Sequence, residues 1–435
     1  MVRCGALSER TKTALVKGFV MALLAVAGGC SSGGNNTTGA GGTGRSGAGG
    51  SGSGGVSGGG GTGAGGAAGG GNAVSKGSGG SSGTAGNGAT TGIGGSGDAG
   101  GGGVTGGGGV GGTVPKQLVN VLSAPDAGPI TSGPDGNLWF TEFLNSKIGC
   151  ITLSGALTEF PVTEGSGLGG ITSGPDGNLW FTETESNKIG RITTNGTITE
   201  FPIPIPTGYY GGLGTSPGWI VSGPDGNLWF TETALGFIGR ITTSGVITEF
   251  PLSAPSVFVT AQSGGNVWFA EGTSITKWAI GSITTSGVTT EFPIVTTNEI
   301  TGLTMGSDGN LWFTVSDDFD AVNNVAIDYG TVGRMTTAGV FTLFPLAAHS
   351  GSLGNGPQNI TAGPDGNLWF VETVSAIVGH ITPLGTISEF QVEEEINGLT
   401  IPLSILSTNS DITVGPGGKA LYFTGITGGI GYVTP

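Results

Sequence analysis

Cysteine, histidine and basic charge are all scarce in this 435-residue chain, which has 3 Cys, 2 His and 14 Lys plus Arg against 29 Asp plus Glu. Cys4, Cys30 and Cys150 are too few for a disulfide framework, so packing must hold the fold. A formal charge of −15 argues against nucleic acid as a partner. It favours cations, metal ions and basic ligands instead. The two histidines, His349 and His380, leave little that titrates near neutrality. The apolar run Gly18–Ala27 is too short for a stable transmembrane helix. Nothing of helical length and period occurs in 114–435.

What is present is a repeated word. GPDGNLWFTE occurs at Gly133–Glu142, Gly174–Glu183 and Gly223–Glu232. Variants stand at Gly306–Val315 and Gly363–Glu372, with weaker copies at Gln262–Glu271 and Gly415–Gly425. The aromatic marker falls at Trp139, Trp180, Trp229, Trp268, Trp312, Trp369 and Tyr422, with gaps of 39 to 57 residues. Such a period points to a propeller or solenoid. Within Ile171–Pro202, four runs rich in Ile, Phe, Trp and Thr alternate with Gly, Asp and Asn turns. They read as strands A (ITSG), B (LWFTE), C (KIGRIT) and D (TEFP). One such meander cannot bury both faces alone, but radial stacking of blades can. The seventh copy ends at Pro435 without a strand D, and an orphan apolar strand, Gln117–Leu122, precedes the first copy. The expectation is an all-β, seven-bladed propeller closed by that N-terminal strand.

Ahead of the propeller, 1–30 reads as an export signal: Arg3, Arg10, Lys12 and Lys17, then the short apolar core. AGG before Cys30 resembles a bacterial lipoprotein cleavage box, which makes Cys30 the lipid-modified N-terminus; an ordinary secretory signal cleaved nearby is the alternative. Ser31 fits outer-membrane sorting in a Gram-negative cell. The expected location is the cell envelope, with membrane contact through the lipid anchor only. Residues 31–113, almost entirely Gly, Ser, Thr, Ala and Asn, read as a disordered tether. The folded domain is then 114–435, expected to be a monomer. In it Cys150 stands where other copies have Arg191 and Arg240, as an inert packed residue.

Strand direction alternates, so A–B and C–D turns share one face of the disc and B–C and D–A loops the other. The first set is stereotyped. The second is individual: Ile203–Trp219, Leu346–Asn359, Val392–Asp411 and the insert Ser316–Thr331. A small-molecule, peptide or glycan ligand is expected on the D–A/B–C face. Tyr209, Tyr210 and Trp219 are its candidate binding residues, or a loop packed by its own side chains. Glu142, Glu183, Glu232, Glu271 and Glu372 close strand B near this face. Cross-strand ion pairs of Glu183 with Arg191 and Glu232 with Arg240 are the preferred reading, with His380 a substituted arginine. Asp317, Asp318, Asp320 and Asp328 lack the order of a calcium loop and read as a solvated acidic loop. No metal site is assigned.

GPDGNLWFTE, NKIGRIT (Asn187–Thr193) and ITEFPIP (Ile198–Pro204) resemble the streptogramin B lyases, also called virginiamycin B lyases. The resemblance covers 114–435 and implies a seven-bladed propeller. It also implies Mg²⁺-dependent opening of a cyclic depsipeptide ester by elimination, using His and Glu residues. Carried onto this chain, the family's blade-six histidine position holds Gln358, and the start of blade seven holds Thr408 and Ser410. Ile426 falls where the family has a further Glu. Glutamine, threonine and serine cannot serve as a base near neutrality. The expectation is therefore a binding or scaffold propeller without cofactor. The alternative is a divergent Mg²⁺-dependent carbon–oxygen lyase, with Gln358, Glu372 and His349 as candidate catalytic residues.

Overall fold

Each GPDGN word closes a tight A–B turn around its aspartate. The Asp225 carboxylate accepts from Trp229 Nε1 at 3.0 Å and from the Asn227 side-chain amide at 2.8 Å. The same bonds recur around Asp135, Asp176, Asp308 and Asp365. Gly226 sits at φ 73°, where a side chain would be strained. The turn therefore seats a tryptophan indole, with its one donor satisfied, in the blade core.

In this computed structural model the described residues are 116–124, 126–205, 214–261, 265–274, 277–294, 298–316, 319–320, 325–326, 330–347, 356–372, 377–396, 399–402, 410–426 and 429–435. They form seven sheets, each with an antiparallel A–B–C–D meander as expected; the sixth is extended by Leu399–Pro402 and by one N-terminal strand, and a two-stranded ribbon, Phe319–Asp320 with Val325–Ala326, lies in the fifth blade's insert. Blade two is representative: A is Leu168–Ser173, B Leu179–Glu183, C Lys188–Ile192 and D Ile198–Pro202. Strand B is buried along its whole length, while strand D is half-exposed.

Blades pack through the rings of strand B. Trp180 joins the cluster of Leu228, Phe230 and Ile241 from blade three, and Trp229 joins that of Val267, Phe269 and Ile283 from blade four. On the other side of each blade the strand B phenylalanine lies across a strand C glycine. A Cβ on Gly239 would come within 2.0 Å of Phe230 Cζ. We expect Gly239→Ala to destabilise the chain by about 1–3 kcal/mol, the range for overpacking a core. Urea denaturation would measure it, and an unchanged midpoint would refute the packing argument.

The inner strands are laced together by side-chain bonds to neighbouring backbones. Ser222 Oγ donates to Ser173 O, and Ser173 Oγ to Ser132 O, both at 2.5 Å. Ser132 Oγ donates to Val414 O at 2.6 Å, which joins blade one to blade seven.

At that seam, Asn120–Ser123 pairs antiparallel with Gly429–Val433 as the fourth strand of blade seven. The expected strand Gln117–Leu122 is in fact two pieces. Lys116–Leu118 runs parallel to Gln391–Glu393 of blade six, and the chain switches sheets at Val119. Val119 donates its N–H to Glu393 O at 2.9 Å, and its side chain packs with Val371 and Val392 of blade six and Phe423 of blade seven. Residues 1–30 and 31–113, including Cys30, lie outside the described residues.

Candidate functional site

On the D–A/B–C face several inner strands break register. The shifts fall between Leu168 and Ile171, Pro217 and Ile220, Ser256 and Phe258, Ile300 and Gly302, and Gln358 and Ile360. A bulge unpairs a residue and re-aims its side chain. Backbone strain gathers there too, with Ser216 at φ 53° and Asn359 at φ 37°.

Two of these irregular positions, Trp219 and Asn359, reach the neighbouring blade. Trp219 is half-buried and packs on Phe258 with ring centroids 5.4 Å apart and planes tilted by 33°. Thr231 Oγ1 accepts from Trp219 N at 2.9 Å, which fixes the ring's backbone. The fit is close, since a Cβ on Gly170 would lie 3.1 Å from Trp219 Cα. Gln358 is half-buried on the inner strand of blade six. Its neighbour Asn359 donates Nδ2 to Ser410 O at 2.7 Å, tying blade six to blade seven. Glu372 is fully buried at the end of strand B of that blade, opposite Pro357 and Ile377. Gln358 and Glu372 thus lie at one end of one blade, and Trp219 three blades away. His349, Tyr209, Tyr210, Thr408, Asp317, Asp318 and Asp328 lie outside the described residues.

Buried carboxyls dominate the electrostatics of this face. Glu142, Glu183, Glu232, Glu271 and Glu372 are each at most 2 % exposed. Burial pushes the Glu183 carboxyl up to about 7, with Glu200 adding to the rise and Lys188 opposing it. Glu232 is pushed up to about 8 by burial and then by Glu249, and Glu271 to about 7 by burial and then by Glu291. Neither oxygen of Glu183 has a hydrogen-bond partner among the described residues.

The expected ion pairs of these glutamates with Arg191 and Arg240 do not form. The hairpin register sets Glu183 opposite Lys188 and Arg191 opposite Trp180. Three residues along a strand is an odd step, so the arginine points to the other face of the sheet. Arg191 and Arg240 approach Asp176 and Asp225 at 3.9 and 3.7 Å instead, at the far end of the blade. Lys188 bonds Glu200 of strand D at 2.5 Å. His380 does take the arginine's place: it stacks on Trp369 with centroids 4.7 Å apart and on Phe390 at 5.7 Å. Burial lowers its pKa, with Asp365 acting against that. Burial pushes the thiol of Cys150, opposite Trp139, up to about 11, as suits an inert packed residue.

Asp411 is a residue that the repeat could not flag. It lies just ahead of the blade-seven inner strand, 8 % exposed. Its carboxylate accepts from Ile130 N at 3.0 Å and Ile412 N at 2.8 Å, and so bridges blades one and seven. Burial pushes it up to about 7. An acid directly before an inner-strand isoleucine was the available signal, but blade five shows the same pattern in Glu299 before Ile300, so it does not single Asp411 out. Among the described residues no three His, Cys, Asp or Glu side chains group as a metal site.

The model of the virginiamycin B lyase family matches residues 107–326 and 300–434. Among solved structures, a catalytically inactive histidine-to-alanine variant of virginiamycin B lyase from Staphylococcus aureus with quinupristin is 33% identical, with TM-score 0.58, covering 73% of this chain and 99% of that one. A streptogramin B lyase structure is 30% identical, with TM-score 0.58, covering 72% of this chain and 96% of that one. The extracellular domain of a hybrid two-component system from B. thetaiotaomicron, 13% identical with TM-score 0.52 over 73% of this chain and 43% of that one, shares the fold alone. No curated protein matches.

Proposed function

This chain belongs to the virginiamycin B lyase family, and from that premise we propose an exported, lipid-anchored propeller that binds a ligand without turning it over. Elimination at an ester needs a base beside the proton α to the carbonyl and an electrophile for the developing charge. The observation that carries the reading is Gln358, half-buried on the inner strand of blade six where the family resemblance implies a histidine. An amide takes no proton near pH 7. The one described histidine, His380, lies between Trp369 and Phe390, remote from this face. The bulged inner strands and the Trp219–Phe258 pair still offer a preformed aromatic surface. In the S. aureus relative, loss of a histidine and presence of quinupristin coexist in one structure. Binding without turnover is thus a chemically coherent state of this fold. Anchoring through Cys30 and the 31–113 tether would hold the propeller at the cell envelope.

The purified full chain, incubated with quinupristin with and without Mg²⁺, should give saturable binding in calorimetry and no linear product by mass spectrometry. Trp219→Ala should weaken binding by about tenfold, the loss of one stacked aromatic. Linear product that disappears in Glu372→Gln would overturn the proposal in favour of the Mg²⁺-dependent lyase. Absence of both binding and product would leave the scaffold role. Fractionation of cells expressing Cys30→Ala tests the anchor: unchanged membrane association would refute it.

A further inference from the structure

The opposite, stereotyped face carries a built site of its own. In blades two, three and five an arginine on strand C lies over the strand B tryptophan and the strand D phenylalanine. Arg240 Cζ is 5.5 Å from the Trp229 centroid and 5.4 Å from that of Phe250, and Arg191 and Arg334 repeat this over Trp180 and Trp312. Each guanidinium then donates to a carbonyl in the C–D turn of the next blade: Arg191 to Thr243 O, Arg240 to Thr285 O and Arg334 to Pro383 O, at 2.7–3.1 Å. The tryptophan Nε1 meanwhile donates to the turn aspartate.

Blade four keeps the two rings and lacks both charged partners. Trp268 and Phe292 stack at 6.0 Å, but Ser282 stands opposite Trp268 where the other blades have arginine. In the sequence, Gly264 stands where they have aspartate. Trp268 is 3 % exposed and its Nε1 has no hydrogen-bond partner among the described residues. A cavity of about 370 Å³ opens there, lined by Trp268, Phe292, Ser282, Thr290, Asn266 and Thr337. Thr337 occupies in blade five the C–D turn position whose carbonyl receives the arginine in other blades. Blades one, six and seven do not share this double loss. Blade one retains Asp135 for its tryptophan, blade six fills the place with His380, and blade seven stacks Tyr432 on Tyr422.

We propose that this cavity binds a small guanidino acid: an arginine-like molecule whose guanidinium lies over Trp268 and Phe292 and whose carboxylate accepts from Trp268 Nε1. Both missing groups are then supplied by one ligand. The planar cation takes the place that Arg240 fills in blade three, donating to the backbone of the Thr337 turn. The carboxylate relieves a buried donor that otherwise goes unmade. A bare guanidinium would supply only the first. The acidic chain, at −15, adds long-range attraction for the cationic end. The site is independent of the D–A/B–C face and of any lyase question.

The test is calorimetric titration of the full chain with L-arginine, L-citrulline and methylguanidine. Arginine should bind at one site per chain. Citrulline, its uncharged isostere, should bind about tenfold more weakly or worse, as expected for a cation over two rings. Ser282→Arg should abolish binding and raise the melting temperature by placing a cation over the two rings, as in the neighbouring blades. If that variant fails to fold, Trp268→Phe gives the same answer: it should weaken arginine and leave methylguanidine unchanged. No saturable arginine binding, equal affinity for citrulline, or binding that survives in the filled variant would each overturn the proposal.

Discussion

Deleting residues 116–123 should destabilise the propeller more than any single core substitution. Those residues complete blade seven through Asn120–Ser123 and reach blade six through Lys116–Leu118. Val119 is 5 % exposed, and Val121 and Leu122 pack against the clusters of blades six, seven and one. Fully burying such a side chain is worth about 1.5–3 kcal/mol, so the three, two of them partly buried, contribute at most about 9 kcal/mol. That is comparable with the whole stability of an ordinary domain. Removal also leaves Gly429–Val433 as an open, apolar edge, a template for aggregation. The expected outcome is a chain that fails to fold or melts far lower, with loss of monodispersity in size-exclusion chromatography. Unchanged melting would mean that the seam does not hold the ring.

The second large effect is an inverted pH dependence. Glu183, Glu271, Glu299 and Asp411 are pushed up to about 7 and Glu232 to about 8, each chiefly by burial. In the unfolded chain such groups titrate near 4. Between pH ~4.5 and ~8 the folded state therefore holds more protons than the unfolded one, and stability falls as pH rises. The contribution is fully present below the unfolded value and gone above the folded one. Asp176 and Asp225 act oppositely: burial, the largest single influence, would raise them, but the bonds donated by Trp180 and Asn178, or by Trp229 and Asn227, together outweigh it, so their folded pKa values are lowered and their stabilisation is lost only in strong acid. Each unit of upward shift is worth about 1.4 kcal/mol per group. A loss of at least ~3 kcal/mol between pH 5.5 and 8.5 is expected, or roughly 5–10 °C in melting temperature. Glu232→Gln, an isostere of the neutral acid, should raise melting at pH 8.5 and leave it nearly unchanged at pH 5. A chain that is more stable at pH 8.5 than at 5.5 would refute this account.

The contrast between repeat and exception sets how far the sequence could be read. The word GPDGNLWFTE encodes a turn, a satisfied indole and a wholly buried strand, so blade number, strand order and both faces were legible. The sheet switch at Val119 was not, because an apolar run carries no mark of which of two edges each residue will pair with. The supposed ion pairs of Glu183 and Glu232 failed on register. Spacing alone could not show that Glu183 faces Lys188, with the arginine three residues off on the other side. Asp411 lay beyond reach, since its role depends on Ile130, 281 positions away. The blade-four cavity was written in the sequence as a departure, Ser282 where other blades have arginine, but the space it leaves beside Trp268 needed coordinates.

The seam also imposes a timetable on synthesis. Asn120–Ser123 is made roughly 300 residues ahead of its partner, Gly429–Val433. At about 5–20 residues per second, roughly 300 intervening residues take some 15–60 s. Throughout that interval blades one to six can assemble, while the first strand has no lasting mate. Two growing chains that meet then present each other with the same unmatched halves. Exchange of the N-terminal strand between neighbours is therefore the error this topology invites, at a frequency set by how closely the nascent copies are spaced.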